Sequence, residues 1–236
     1  KLRLGWAKVG NDTDPYRILD TYTFYSGFGG NHAYTSPLSL KNSGLKPEST
    51  TSYEAGVELS FLDSRLGVDV TAYYGETKDQ ILPLSLSGTT GYTSQIINAG
   101  LISNQGIELT LKGLPVKTKE FEWQITGTFS SNKNKVKELL DGVDYYRLAN
   151  APFKVEVGAY VGQEYGVIMG TDYVYNDKGE KIVSDGLYES TSGNVPLGSV
   201  YPKALIGITN TFKYKNLDLS FLFDGQFGGK FFSTSH

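Results

Sequence analysis

The chain has 236 residues, 39% of them hydrophobic, 20% charged and 13% aromatic, and a net charge of −3 from 22 basic and 25 acidic side chains. Without cysteine, and with His32 and His236 as the only imidazoles, it can hold no catalytic thiol, iron–sulfur cluster or disulfide scaffold, and a histidine-rich metal site is not expected. The charges are interspersed, so there is no basic footprint for nucleic acid, and no apolar run reaches the roughly eighteen residues of a spanning helix.

A mean hydropathy of −0.27 does not exclude a membrane β-barrel, whose strands need only every second residue apolar. Glycine is abundant, at 28 residues, which favours turns and tight strands over helices. Alternation with a period of two then recurs along the chain. Residues 1–9 place Leu2, Leu4 and Trp6 opposite Lys1, Arg3 and Gly5. Residues 53–61 set Tyr53, Ala55, Val57, Leu59 and Phe61 against Glu54, Gly56, Glu58 and Ser60. Asp63, Ser64 and Arg65 make a hairpin-length turn into residues 66–75, where Leu66, Val68, Val70, Ala72 and Tyr74 oppose Asp69, Thr71 and Tyr73. Residues 106–112 put Ile107, Leu109 and Leu111 against Glu108 and Thr110. After a turn expected at Gly113 and Pro115, residues 120–130 put Phe121, Trp123, Ile125 and Phe129 against Glu122, Gln124, Thr126 and Thr128. A last hairpin about Tyr214, Lys215 and Asn216 joins a strand with Ala204, Ile206 and Ile208 to one with Leu217, Leu219, Phe221 and Phe223.

The connections alternate long and short: about 40 residues, a three-residue turn, about 25, a short turn, about 70, then the Lys215 turn. Outer-membrane barrels show this alternation, with short periplasmic turns, long extracellular loops, a lipid-facing apolar row and a lumen-facing polar row. The expected lipid row includes Val57, Leu59, Val68, Val70, Ile107, Leu109, Ile125, Ile206, Leu219 and Phe221. The expected lumen row includes Glu58, Asp69, Thr71, Glu108, Thr126 and Ser220. Tyr53, Phe61, Tyr74, Phe121, Phe212, Tyr214 and Phe227 near strand ends suit an aromatic girdle. In the longest connection, residues 173–183 read as a hairpin about Asn176, Asp177, Lys178 and Gly179. A soluble antiparallel sandwich would share the period of two, and periodicity alone does not separate the two folds.

The strings LKPESTTSYEAGVELSFLDSRLGVDVTAYYGETKDQI, NAGLISNQGIELTL, FEWQITGTFSSNKNKVKELL and LGSVYPKALIGITNTFKYKNLDLSFLFDGQFGGKFFS, in that order and spacing, resemble the SusC/RagA-like TonB-dependent transporters of the Bacteroidota outer membrane. The resemblance spans nearly the whole chain. It implies an all-β, antiparallel transmembrane barrel of which residues 1–236 supply about seven strands out of roughly 22. On that reading the plug domain and the TonB-contacting segment lie elsewhere in a longer protein, as a start at Lys1 inside an alternating segment also leads one to expect. The implied function is import of bulky nutrients, glycans or peptides, across the outer membrane. The implied partners are the TonB complex, a SusD-like surface lipoprotein and outer-membrane lipid. A surface-exposed carbohydrate-binding or adhesion module without transport is the alternative from another class.

No catalytic constellation emerges. Glu54 with Glu58, or Asp69 with Glu108, read better as solvated lumen charges than as acid–base pairs. The NDKGE run at Asn176 lacks calcium-loop spacing, and no glycine-rich phosphate loop opens a helix. No enzyme activity, metal or cofactor is expected. The candidate binding residues are aromatic: Tyr22, Phe24, Tyr25, Phe28, His32 and Tyr34 in the first long loop, and Tyr145, Tyr146 and Arg147 in the third. Flat rings stack on sugar faces and supply contact area at low entropic cost, though such rings also pack loops together. The docking and capture surface is expected over residues 22–34 and 145–201.

Overall fold

The computed structural model describes residues 1–235, without the side chains of Phe28 and Ser85. Its main body is a seven-stranded antiparallel sheet in strict chain order: β1 (Leu2–Asn11), β2 (Glu48–Phe61), β3 (Leu66–Lys78), β4 (Leu101–Lys117), β5 (Phe121–Glu138), β6 (Pro202–Tyr214) and β7 (Leu217–Gly228). The sheet is not closed, so β1 and β7 are its edges. Residues 62–65, 118–120 and 215–216 turn at one end, and the long connections 12–47, 79–100 and 139–201 all lie at the other. Among the described residues no helix is long and apolar enough to cross a membrane, which says nothing about strands.

Register shows why the alternation matters. Val57 pairs with Val70, Val70 with Leu109, Leu109 with Phe129, Phe129 with Ile206, and Ile206 with Gly225. Cross-strand partners share a face, so the expected lipid-facing residues form one continuous surface. Glu58 pairs with Asp69, Asp69 with Thr110, Thr71 with Glu108, and Thr211 with Ser220 on the opposite face. A one-residue slip of any of these strands would turn a charged side chain outward, so burial of one face in hydrocarbon fixes the whole register. The apolar face is bare in this chain, with Leu4 77% and Leu219 57% exposed. A bare apolar face of this extent belongs in lipid.

The structure corrects two expectations. The fourth strand does not stop at Gly113 and Pro115: β4 runs to Lys117, and the turn lies at residues 118–120. Its register with β5 shifts between Trp123 and Ile125, opposite Val116 and Gly113, so Pro115 sits in an irregularity where its missing N–H costs no ladder bond. The strands also reach further toward the long loops than the alternation does. Glu48–Ser52 and Ser131–Lys135 are polar on both sides, because the sheet there stands above the apolar band.

Amid its apolar rings the lipid face buries a satisfied amide. Asn210, across from Ile125 and Phe221, is buried, and its Oδ1 accepts a 3.1 Å hydrogen bond from the Trp123 indole N–H. Phe212 stacks on Trp123 at 5.7 Å and on Phe221 at 5.9 Å, so rings screen the amide from hydrocarbon. On the lumen face the Arg3 guanidinium reaches Asp69, Glu58 at 3.5 Å and Thr71 Oγ1 at 3.1 Å, tying β1, β2 and β3 together.

The buried core lies elsewhere. Ile96, Ala159, Val167, Ile168 and Met169 belong to the long connections, and Val136 to the far end of β5. The third connection folds a four-stranded sheet of Tyr145–Asn150, Glu156–Tyr160, Tyr165–Gly170 and Val195–Ser199. The second forms a hairpin of Ile81–Ser85 and Ser94–Asn98, against which Ser39–Leu40 of the first lies parallel. These connections make a folded cap. Val136 joins it to the wall, donating its N–H to Gln163 O and accepting from Gly162 N–H.

Candidate functional site: the aromatic face of the loop-end cap

The first connection builds its own hairpin, Thr23–Ser26 against His32–Thr35. Its reversal depends on Gly27, where a Cβ would stand 2.2 Å from the Asn31 carbonyl oxygen. Phe24 pairs with Tyr34, and Ser26 with His32, which places Phe24, His32 and Tyr34 on one face. The Phe24 ring lies 5.1 Å from the His32 ring and 5.7 Å, edge-on, from the Tyr34 ring. Phe24 is 53% exposed and Tyr34 65%. Tyr22, exposed, precedes the hairpin, and Tyr25, paired with Ala33, points to the other side. The Phe28 side chain lies outside the described residues. Of the expected set, the fold therefore assembles a cluster of Phe24, His32 and Tyr34.

The third-loop candidates play different parts. Tyr145 stacks on Tyr160 at 4.2 Å, and its ring occupies the space above Gly158, where a Cβ would come within 2.1 Å of it. The Tyr145 hydroxyl is buried. Tyr146 donates to the Pro83 carbonyl at 3.1 Å, linking the third connection to the second. Arg147 lies 4.0 Å from Glu156. Burial pushes the hydroxyls of Tyr145, Tyr146, Tyr160 and Tyr165 above the ordinary tyrosine range, with the Glu156 carboxylate adding to the rise at Tyr145 and Tyr160. These rings are interior members of the cap sheet.

Sequence reasoning missed a second exposed cluster. The expected hairpin about Asn176 forms, with Asn176 N–H donating to Glu180 O and Gly179 N–H to Asn176 O, and the chain continues through Val183–Ser184 and Leu187–Tyr188. Tyr173 and Tyr188 meet edge-on at 5.5 Å, with Lys181 Nζ 3.7 Å from the Tyr173 ring centre and 5.1 Å from that of Tyr188. The tyrosines at 173 and 175 and the Asn176 turn were visible signals; the return of Tyr188 to Tyr173 was not. Among the described residues no group of histidine and carboxylate side chains is arranged to hold a metal.

Rings displayed by long loops at one end of an unclosed strand wall are the observation against which relatives can be judged. The family described as TonB dependent receptor-like, beta-barrel, matches residues 2–226. The chain belongs to this family. Its members are transporters rather than enzymes, and they sit in the outer membrane as β-barrels. TonB-dependent receptor P26 of Formosa agariphila is 31% identical over 99% of this chain and 26% of its own length. TonB-dependent receptor SusC of Bacteroides thetaiotaomicron is 28% identical over 94% of this chain and 24% of its own length. The chain thus spans about a quarter of the length of these curated relatives. Among solved structures, the RagAB peptide transporter superposes with a TM-score of 0.77 at 21% identity, covering 94% of this chain and 26% of that one. At that identity the likeness concerns the fold.

Proposed function

We propose that this chain supplies part of the wall and part of the extracellular cap of a TonB-dependent importer in the outer membrane of a Bacteroidota-like bacterium. The importer carries bulky nutrients, glycans or peptides, and works with a SusD-like surface lipoprotein. Energy from the TonB complex enters through a plug that lies outside residues 1–236. The observation that carries the reading is the exposed face of Phe24, His32 and Tyr34, held by a hairpin at the loop end of a sheet whose inner face is polar. Rings fixed on a hairpin grip a sugar face or a peptide side chain with little further ordering, whereas a polar wall lets a hydrated substrate pass. The relatives named TonB-dependent receptors, SusC among them, support the transport class, and the shared fold of the RagAB peptide transporter supports peptides as one substrate class.

Residues 22–34 and 145–201 are the capture and docking surface in this reading. Deletion of residues 22–34 from the intact receptor should leave barrel insertion unchanged, read as the heat-modifiable shift in electrophoresis, and reduce uptake or lipoprotein docking. Unchanged growth on the cognate nutrient, with the lipoprotein still co-purifying, would show that this hairpin only packs the cap.

A further inference from the structure

Among the described residues the lumen face of the wall carries a single ring. Trp6, Tyr53, Tyr74, Phe129, Phe212 and Phe223, like the other aromatic residues of β1 to β7, lie in outward rows. Tyr73 instead lies in the inward row Gly5, Glu54, Tyr73, Gly106, Asn132. Its half-buried ring is laid across β4, since a Cβ on Gly106 would stand 2.6 Å from the tyrosine Cζ. The tip is pinned from β5, where Asn132 Nδ2 donates to the Tyr73 hydroxyl at 2.7 Å. The next row toward the loops runs Ala7, Ser52, Gly75, Asn104, Asn134, and Asn134 Oδ1 accepts the Tyr165 N–H at 2.6 Å, so the ring sits just below the cap. Ala7, Ser52 and Gly75 are small, and a Cβ on Gly75 would meet nothing closer than 3.6 Å, which leaves a shallow hollow beside the ring. Toward the turns the neighbouring pair is Thr71 and Glu108. Glu54, Asn104 and Glu108 are exposed, and among the described residues their side chains make no hydrogen bond within the chain.

We propose that this hollow is a saccharide subsite inside the passage, with the Tyr73 ring as platform for one sugar residue and Glu54, Asn104 and Glu108 as partners for its hydroxyls. The proposal rests on the import reading and adds a site on the wall, separate from the Phe24 cluster of the cap. An aromatic ring in a polar lumen has no hydrocarbon to bury itself in, so its free face calls for an apolar surface arriving from outside the chain. A pyranose offers that surface in its C–H face and surrounds it with hydroxyls. Carboxylates only accept, so Glu54 and Glu108 call for donors, and one sugar brings several around a single ring. Adjacent strands lie about 4.8 Å apart and alternate residues about 7 Å, which sets these three polar side chains around one stacked sugar. Covering Gly106 explains the underside of the ring alone and requires neither carboxylate.

The test uses the intact receptor, purified in a detergent without a sugar headgroup, and a pool of neutral oligosaccharides: maltohexaose, cellohexaose, mannohexaose, xylohexaose and inulin-type fructohexaose. Saturation-transfer NMR from the aromatic protons of the protein picks out the binder, and titration gives its Kd. Tyr73→Leu and Glu108→Ala should each raise that Kd about tenfold, while Tyr73→Phe, which keeps the ring, should raise it less than about threefold. Asp224→Asn, inward on β7 and away from the hollow, should leave it level. Absence of any binder in the pool, or a binder indifferent to both Tyr73→Leu and Glu108→Ala, would overturn the subsite. So would variants that keep wild-type affinity but release the plug at lower urea, which would assign the hollow to seating the plug. If Tyr73→Leu fails to insert, Glu108→Ala and Asn104→Ala decide the matter. Uptake is not part of the readout, so a receptor that binds sugar through Tyr73 yet imports nothing would fail the import reading alone.

Discussion

Val70 and Thr71 are neighbours in sequence and opposites in surroundings. Val70 lies between Val57 and Leu109 on the lipid face, and Thr71 between Gly56 and Glu108 on the lumen face. Val70→Arg is expected to cost about 2–4 kcal/mol and reduce assembled barrel, while Thr71→Arg is tolerated; insertion yield in outer membranes compares the two. Asn210 offers a sharper test, because its amide sits among hydrocarbon-facing rings with the Trp123 indole as donor. Trp123→Phe should destabilise the barrel by about 1–3 kcal/mol, and adding Asn210→Leu should recover most of that loss, since the cost lies in the orphaned amide rather than the missing bond. A denaturant-unfolding cycle in micelles measures both, and equal effects of Trp123→Phe with and without Asn210→Leu would contradict the pairing.

At the scale of elements, what was legible in the sequence tracks what the surroundings impose. Between Leu66 and Tyr74, hydrocarbon on one side and water on the other write a period of two into the residues, and register followed from it. Between Ser131 and Glu138 both faces meet water or the cap, so strand and loop look alike and the end of β5 was not visible. Pro115 misled for a related reason, since proline marks a turn more often than an irregular ladder. The aromatic candidates show the same limit. Their abundance near Tyr22 to Tyr34 was readable, but the pairing that unites Phe24, His32 and Tyr34 and turns Tyr25 away depends on a hairpin with no hydrophobic alternation. Composition also could not separate Tyr145, interior to the cap, from Tyr34, exposed on it.

The cap sheet invites two tests of its own. Gly158→Val should expel the Tyr145 ring and loosen residues 145–170 to protease while the heat-modifiable barrel signal persists. Tyr145, Tyr146, Tyr160 and Tyr165 are held neutral by burial. A raised folded-state pKa contributes stability below the unfolded value, near pH 10, and that contribution is lost as pH climbs through the folded value. Limited proteolysis should therefore find the cap opening as pH rises past about 10, before the wall.

For the molecule as a whole, two kinds of cohesion coexist: hydrocarbon outside the wall and a protein core inside the cap. Expressed alone in detergent-free buffer, residues 1–236 should aggregate, because the lipid face stays bare and β1 and β7 present unpaired edges. A monodisperse sample with a cooperative melt by circular dichroism would contradict the membrane assignment of that face. β5 belongs to both regions. Its 18 residues run from the short turn at 118–120, past the buried Val136 beneath the cap sheet, to Glu138, about 60 Å of continuous strand. Such a member is a strut in the mechanical sense: tension or tilt applied to the cap by a bound load is delivered along its axis to the opposite rim of the membrane, without any hinge between.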